Sequence, residues 1–200
     1  MQKKVTIIGG GIIGLSTAYF LQKEGCEVTI IDRSNMESGA SYTNAGYICP
    51  SHFIPLAAPG VVRSGLRWML DASSPLYIKP SLNTDFLKWA WAFNKSATSI
   101  HVQKNAVHLR DFTVFSQELF QSIKNEEQFS FHYDKKGLLM LCQTARQLEK
   151  ELEILSMANN LNVHAKEISK AELKILEPSV DINGVGGVYF KNDHHSTPSD

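Results

Sequence analysis

Near its start the chain carries Gly9-Gly10-Gly11-Ile12-Ile13-Gly14, a G-x-G-x-x-G spacing whose flanks leave few folds open. Val5 to Ile8 is a β-rich run that stops at Gly9, and it predicts a buried strand. Ile12 to Lys23 has helical periodicity, with Leu15, Ala18 and Tyr19 on one side and Gly25 as the stop signal. Glu27 to Ile31 predicts a second strand, closed by Asp32. Strand, glycine turn, helix and strand in this order predict the first βαβ unit of a Rossmann-type parallel sheet, hence an α/β fold. Each glycine then has a task. Gly9 permits the tight turn, Gly11 lets the backbone approach a pyrophosphate at the helix N-terminus, and Gly14 lets the helix lie close to the strand. Asp32, about 20 residues on, stands where a carboxylate accepts hydrogen bonds from a ribose diol. Ile8, Gly9, Gly10, Gly11, Ile12, Ile13, Gly14 and Asp32 are therefore candidate dinucleotide-binding residues. The spacing does not distinguish FAD from NAD. An acid at Asp32 argues against a 2′-phosphate, although Arg33 beside it keeps NADP open.

Composition removes other classes. Lys+Arg and Asp+Glu number 20 each in 200 residues, so the basic excess of a nucleic-acid binder is absent and no nucleic-acid partner is expected. With 43% hydrophobic and 20% charged residues the chain is compositionally globular. Cys26, Cys49 and Cys142 form neither a disulfide framework nor a zinc pattern. They are expected to be small core residues holding free thiols in a reducing compartment. Lys3 and Lys4 before an apolar run mimic a secretory signal, but three glycines interrupt the run and no cleavage site follows. No signal peptide and no transmembrane helix are expected, and the location is read as cytoplasmic.

Beyond Asp32, a loop rich in Ser, Gly, Asn and Thr runs from Ser34 to Gly46, a length associated with function or mobility. Residues 1–50 are read as the first βαβ unit and cofactor loop of the nucleotide-binding domain. Residues 51–200 are read as a helical segment and the start of an α+β substrate domain. Within that region an amphipathic segment covers Val61 to Leu70. Thr84 opens a helix carrying Phe86, Leu87, Trp89, Trp91 and Phe93. A longer helix from Val102 to Lys124 places Phe112, Phe115, Leu119 and Ile123 at helical spacing. Phe131 to Tyr133 and Leu138 to Leu141 predict an antiparallel hairpin around Asp134-Lys135-Lys136-Gly137. A helix over Thr144 to Asn159 buries Leu148, Leu152 and Leu155, and Ser169-Lys170-Ala171-Glu172 is a capping box. Gly186 to Phe190 predicts a strand, Asp193-His194-His195 a polar turn, and Ser196 to Asp200 the start of a helix.

Several segments together carry a resemblance: Asp32-Arg33, Ser41-Tyr42-Thr43-Asn44-Ala45-Gly46, Ala57-Ala58-Pro59-Gly60-Val61, Leu66 to Leu70, Phe86 to Trp91, and Gly186 to Asp193. They resemble the D-amino-acid dehydrogenase branch of the D-amino-acid oxidase-like FAD-dependent oxidoreductases. The resemblance spans the chain and ends about half-way through such a protein, so the sequence reads as an N-terminal part. It implies non-covalent FAD, with Arg33, Ser41, Asn44, Ala45 and Gly46 lining the cofactor beyond its ADP half. It also implies oxidative deamination of a D-amino acid to a 2-oxo acid and ammonia, with electrons passing to a quinone-type acceptor. The catalytic and substrate-clamping residues are expected beyond residue 200, so none is assigned to Arg63, Arg67 or Arg110, and these 200 residues alone are expected to turn over no substrate.

Tyr47, Cys49 and the pair His194-His195 depart from the family pattern and leave the substrate class open. Tyr47 and His52, just after the cofactor loop, are candidates for the substrate side. No metal ligand set is assigned: adjacent histidines point apart and no third ligand is evident in the sequence. The tryptophans Trp68, Trp89 and Trp91 are expected between helices, with peripheral contact with a membrane as the alternative. The rival functions are a secondary-amine oxidoreductase of the sarcosine, glycine or hydroxyproline type and a non-catalytic flavin-fold binding module.

Overall fold

A computed structural model describes residues 2–37, 39–62, 65, 81, 83–126 and 128–199. The chain opens with β1 (Lys4–Ile8), α1 (Ile12–Lys23) and β2 (Glu27–Ile31). β1 and β2 pair in parallel, from Lys4 opposite Glu27 to Ile8 opposite Ile31. A parallel pair requires a crossover, and α1 supplies it. Gly25, at φ 79°, stops α1 in the left-handed conformation that a side chain would resist.

The strand expected to be buried is only half so. Side chains alternate along β1 and β2, with Val5, Ile7, Val28 and Ile30 partly covered while Ile8 and Ile31 stand exposed. In a pleated pair one face can lean on α1, and the other faces outward. Leu15, expected on the covered side of α1, is also exposed. Tyr19 and Phe20 contact each other edge to face, and Tyr19 meets Phe129 in the same way.

The remaining elements in order are β3 (Tyr47–Ile48), α2 (Thr84–Ser96), α3 (Ser99–Lys124), β4 (Tyr133–Asp134) and β5 (Leu138–Cys142). They continue with α4 (Ala145–Asn160), β6 (Ala165–Ser169), α5 (Lys170–Leu176), β7 (Gly186–Phe190) and β8 (His194–Ser196). β7 lies between β5 and β6, antiparallel to both. It is the most deeply buried strand, and Val188 and Phe190 enter a core with Phe53, Ala106, Ala158 and Val163. Leu152 and Leu155 of α4 pack against that core, as their spacing predicts. The expected capping box at Ser169 opens α5, and Thr144, expected as the first helical residue, is instead the N-cap of α4 in a second reciprocal box. The long helix α3 starts at Ser99, before the expected Val102, because the Thr98 hydroxyl accepts a hydrogen bond from His101 N.

Four expectations are corrected. The hairpin of 131–133 with 138–141 does not form: β4 pairs with β8 and β5 with β7. All five residues of β5 find partners on the central strand β7, whereas β4 is only two residues long, and Gly137, at φ 77°, redirects the chain between the sheets. The helix start expected at Ser196 is instead the end of β8, where Ser196 N donates to the Gly46 carbonyl at 2.8 Å. The polar turn expected over Asp193 to His195 is likewise largely a strand, preceded by an Asp193 only 1% exposed. Finally, Trp89 and Trp91 are 50% and 67% exposed instead of being buried between helices, and Phe112 and Phe115 of α3 are exposed too. Most of the amphipathic segment expected over 61–70, with Trp68, lies outside the described residues.

Candidate cofactor-binding site

The site grows from the point where β1 ends. Gly9, at φ 105°, turns the chain and donates its N–H to the Ile31 carbonyl at 2.8 Å, tying the turn to the end of β2. A Cβ on Gly9 would meet nothing within 4 Å, so this glycine serves the backbone angle alone. Gly14 serves distance. A Cβ there would stand 1.9 Å from the Gly9 carbonyl oxygen, so α1 can approach the turn only without a side chain at this position. Gly11 is the N-cap residue of α1 and provides no side-chain cap. The first helical N–H groups therefore need outside acceptors, and the helix dipole favours anionic ones.

One acceptor serves the turn before the helix and another the helix start itself. The Asp32 carboxylate accepts from Gly10 N at 2.6 Å through one oxygen, and from Ser34 N and Ser34 Oγ at 2.8 Å through the other. These bonds, that from Gly10 first, bring the Asp32 pKa down from 3.8 to about 2. The Ser41 hydroxyl accepts from Ile12 N at 3.0 Å. Ser41 thus stands at the helix start where an anionic oxygen would be bound. Met36, at φ 69°, lays its thioether over Gly10, within 2.7 Å of where a Cβ would sit.

The cofactor loop closes on itself and then on the far sheet. Asn44 Nδ2 donates to the carbonyls of Ala40 and Ser41 at 2.9 and 3.1 Å, and its Oδ1 accepts from Gly46 N at 2.7 Å. Asn44 is therefore a brace inside the loop. Gly46, buried at φ 67°, leaves no room for a side chain because the Ser196 carbonyl occupies that space. Ala45 and Tyr47 then enter the wall of a cavity of about 590 Å³ completed by residues including Lys136, Leu139, Tyr189 and His195.

Among the predicted site residues, the structure unites Gly9 to Gly14, Asp32 and Ser41 at the end of β1. It sets Ala45 and Tyr47 on the cavity. Ile8 and Ile13 are exposed beside the turn, at 88% and 82%. Arg33 is exposed and adds only a long-range charge to Asp32. His52 does not line the cavity; its Nδ1 lies 3.2 Å from Ser51 Oγ, near Cys49 and Asp193. Asp193 is the residue that sequence reasoning missed. Its carboxylate accepts from Ser51 N at 3.1 Å and Ser51 Oγ at 2.5 Å, pinning the segment after the cofactor loop to the β7–β8 connection. Burial raises its pKa against the lowering effect of those bonds. The neighbouring Cys49 thiol is pushed up to about 12 by burial and by Asp193, which keeps it protonated and inert. A polar triplet in sequence gives no sign of such burial.

A glycine turn between a strand and a helix, an anionic acid at the second strand and a helix start open to an anion define a dinucleotide-binding α/β protein. The glycine cradle, which a Cβ would fill, and the donors at the helix start fit the pyrophosphate of such a cofactor. Comparison with known proteins narrows the class. Residues 4–200 match the model of the FAD dependent oxidoreductase (DAO) family, and the chain belongs to that family. It is 30% identical over 197 residues to a D-amino acid dehydrogenase of Vibrio vulnificus strain YJ016, covering 95% of this chain and 46% of that protein. The fold is shared with glycine oxidase from Bacillus cereus ATCC 14579 at a TM-score of 0.61 and 18% identity, covering 100% of this chain and 42% of that one. It is shared as well with L-alpha-glycerophosphate oxidase from Mycoplasma pneumoniae, solved with FAD bound, at 0.59 and 18%, covering 100% and 40%. The chain spans less than half the length of these relatives. The cofactor of the family is FAD, in agreement with the expectation from the sequence.

Proposed function

We propose that the protein carrying this chain oxidatively deaminates D-amino acids and passes the electrons to a quinone-type acceptor. The observation that carries this reading is the 30% identity to named D-amino acid dehydrogenases along 95% of the chain, supported by a glycine turn with Asp32 hydrogen-bonded beside it. When bound, FAD supplies a two-electron acceptor for the hydride on the substrate Cα, leaving an imino acid that water hydrolyses.

The chain's own residues prepare that step. The backbone at Gly10 and Gly11 and the start of α1 hold the pyrophosphate, with Ser41 giving up Ile12 N to it. Asp32 holds the turn and meets the adenosine ribose: three hydrogen bonds leave its carboxylate one acceptor position of about four. Gly46 and Asn44 keep the loop against β8, so that Ala45 and Tyr47 stay at the cavity. Tyr47, with His195 beside it, is the side chain assigned to the substrate side. His52, which stands beside Ser51 outside this cavity, is the second side chain assigned to the substrate side. Peripheral membrane contact belongs to the same proposal. The exposed Leu87, Trp89 and Trp91 of α2 support it, and among the described residues no helix is long and apolar enough to cross a membrane.

The test is anaerobic mixing of the complete gene product, FAD bound, with a panel of D-amino acids, L-amino acids, glycine, sarcosine and hydroxyproline. Saturable bleaching of the flavin band by D-amino acids, with reoxidation by a soluble quinone, supports the proposal. Bleaching by secondary amines alone replaces it with the amine-oxidoreductase reading, and bound FAD that no substrate bleaches replaces it with a binding module.

A further inference from the structure

The pairing of β4 with β8 sets Asp134 directly across from His195. In an extended chain residues two apart share a side, so His132 joins them. His132 Nε2 lies 3.3 Å from Asp134 Oδ2, and His195 Nε2 lies 3.8 Å from the same oxygen. The three donor atoms lie within 4.8 Å of one another, and the two imidazole rings are 5.8 Å apart at their centroids. We propose that His132, Asp134 and His195 form a binding site for a divalent transition metal of the zinc type.

The donor chemistry selects the class. Two imidazoles with one carboxylate suit Zn²⁺, Co²⁺, Ni²⁺ or Cu²⁺, whereas Mg²⁺ and Ca²⁺ prefer sets made wholly of oxygens. Zinc bonds of about 2.0–2.2 Å place tetrahedral donors roughly 3.3 Å apart, and the His132–Asp134 distance already meets this. The remaining closure falls to His195, whose side chain is 35% exposed and free to turn by a rotamer adjustment. Three protein ligands leave a fourth position for water.

Lys136 is the obstacle and the means of testing. Its ammonium lies 2.8 Å from Asp134 Oδ2, the oxygen on which the two histidines converge. The side chain is 76% exposed, so it can swing into water when a metal takes its place. Lysine and metal therefore compete for one carboxylate oxygen. The second cluster, Cys49, His52 and Asp193, makes a useful contrast. There the carboxylate is committed to Ser51 and the thiol is held protonated, so a metal would have to break a buried network. A metal on the β4–β8 site would clamp two strands far apart in sequence and fix His195 at the cavity wall.

The experiment uses the complete gene product with FAD bound, stripped by a chelator and titrated with Zn²⁺ alone in equilibrium dialysis, with circular dichroism and flavin content as checks of folding. The expected result is one equivalent of Zn²⁺, bound at least tenfold more weakly by His132→Gln and by His195→Gln. Lys136→Met should bind severalfold more tightly, because the competitor is gone, and a merely structural Lys136 would not produce that gain. His132 has a half-exposed side chain, so His132→Gln decides the matter should His195→Gln lose its fold or its flavin. Saturable uptake that is absent, indifferent to His132→Gln, or abolished by Cys49→Ser overturns the proposal. Uptake is read without turnover, so it stands apart from the substrate reading.

Discussion

Replacing Gly14 by alanine sets two effects of opposite sign against each other. At an ordinary helix position the change would help, since alanine exceeds glycine by up to about 1 kcal/mol in helix propensity. Here the new Cβ would stand 1.9 Å from the Gly9 carbonyl oxygen, 3.1 Å from its carbon and 3.4 Å from Ile7 Cγ2. Backbone cannot rotate aside as a side-chain end can, so α1 must move off the turn by roughly 1 Å. Overpacking of this kind costs about 1–3 kcal/mol and sometimes more. An approach of 1.9 Å to backbone belongs at the upper end of that range, so the net expectation is a loss of roughly 2 kcal/mol, read as a lower urea midpoint at unchanged slope. FAD affinity, followed by the fluorescence of released flavin, should fall as well, because the helix N-terminus moves with the helix. A Gly14→Ala protein as stable as the parent, or more stable, and equally yellow would refute the close packing of α1 on the glycine turn.

Gly11→Val should remove FAD binding while disturbing the fold less, since the first atom it adds meets the adjustable Ser41 hydroxyl at 3.0 Å; retained flavin would count against the pyrophosphate assignment. Asp32→Ala should weaken FAD retention and free the Gly10 N–H, seen as faster amide exchange at Gly10. Because the folded state depresses the Asp32 pKa to about 2, its contribution is complete above the ordinary 3.8 and lost as pH falls through 2. An NMR titration placing Asp32 near 4 contradicts the geometry. Asp193→Ala strands the Ser51 N–H and hydroxyl in the interior and should cost roughly 2–4 kcal/mol by urea unfolding. On the α2 surface, Trp91→Ala should reduce co-sedimentation with anionic lipid vesicles, and unaltered sedimentation removes the membrane contact.

What could be read in the sequence was local. The turn at Gly9 to Gly14, the strands on either side and the reciprocal cap at Ser169 depend on residues within a few positions of one another. Spacing reports such relations directly. Asp32 belongs with them, because a single crossover of fixed length delivers the end of β2 beside the glycine turn. The partners of the strands were a different matter. Leu138 to Leu141 alternates no differently whether it pairs across a turn with β4 or across the molecule with β7, and only the assembled sheet, where β7 is the longer and more buried partner, decides. The same long-range choice makes His194–Ser196 a central strand where the sequence suggests a polar turn running into a helix start. It also buries Asp193 against Ser51 and brings His132, Asp134 and His195 to one side of one sheet. Contacts between segments so distant arise from burial and strand pairing in the assembled fold, and no local periodicity encodes them.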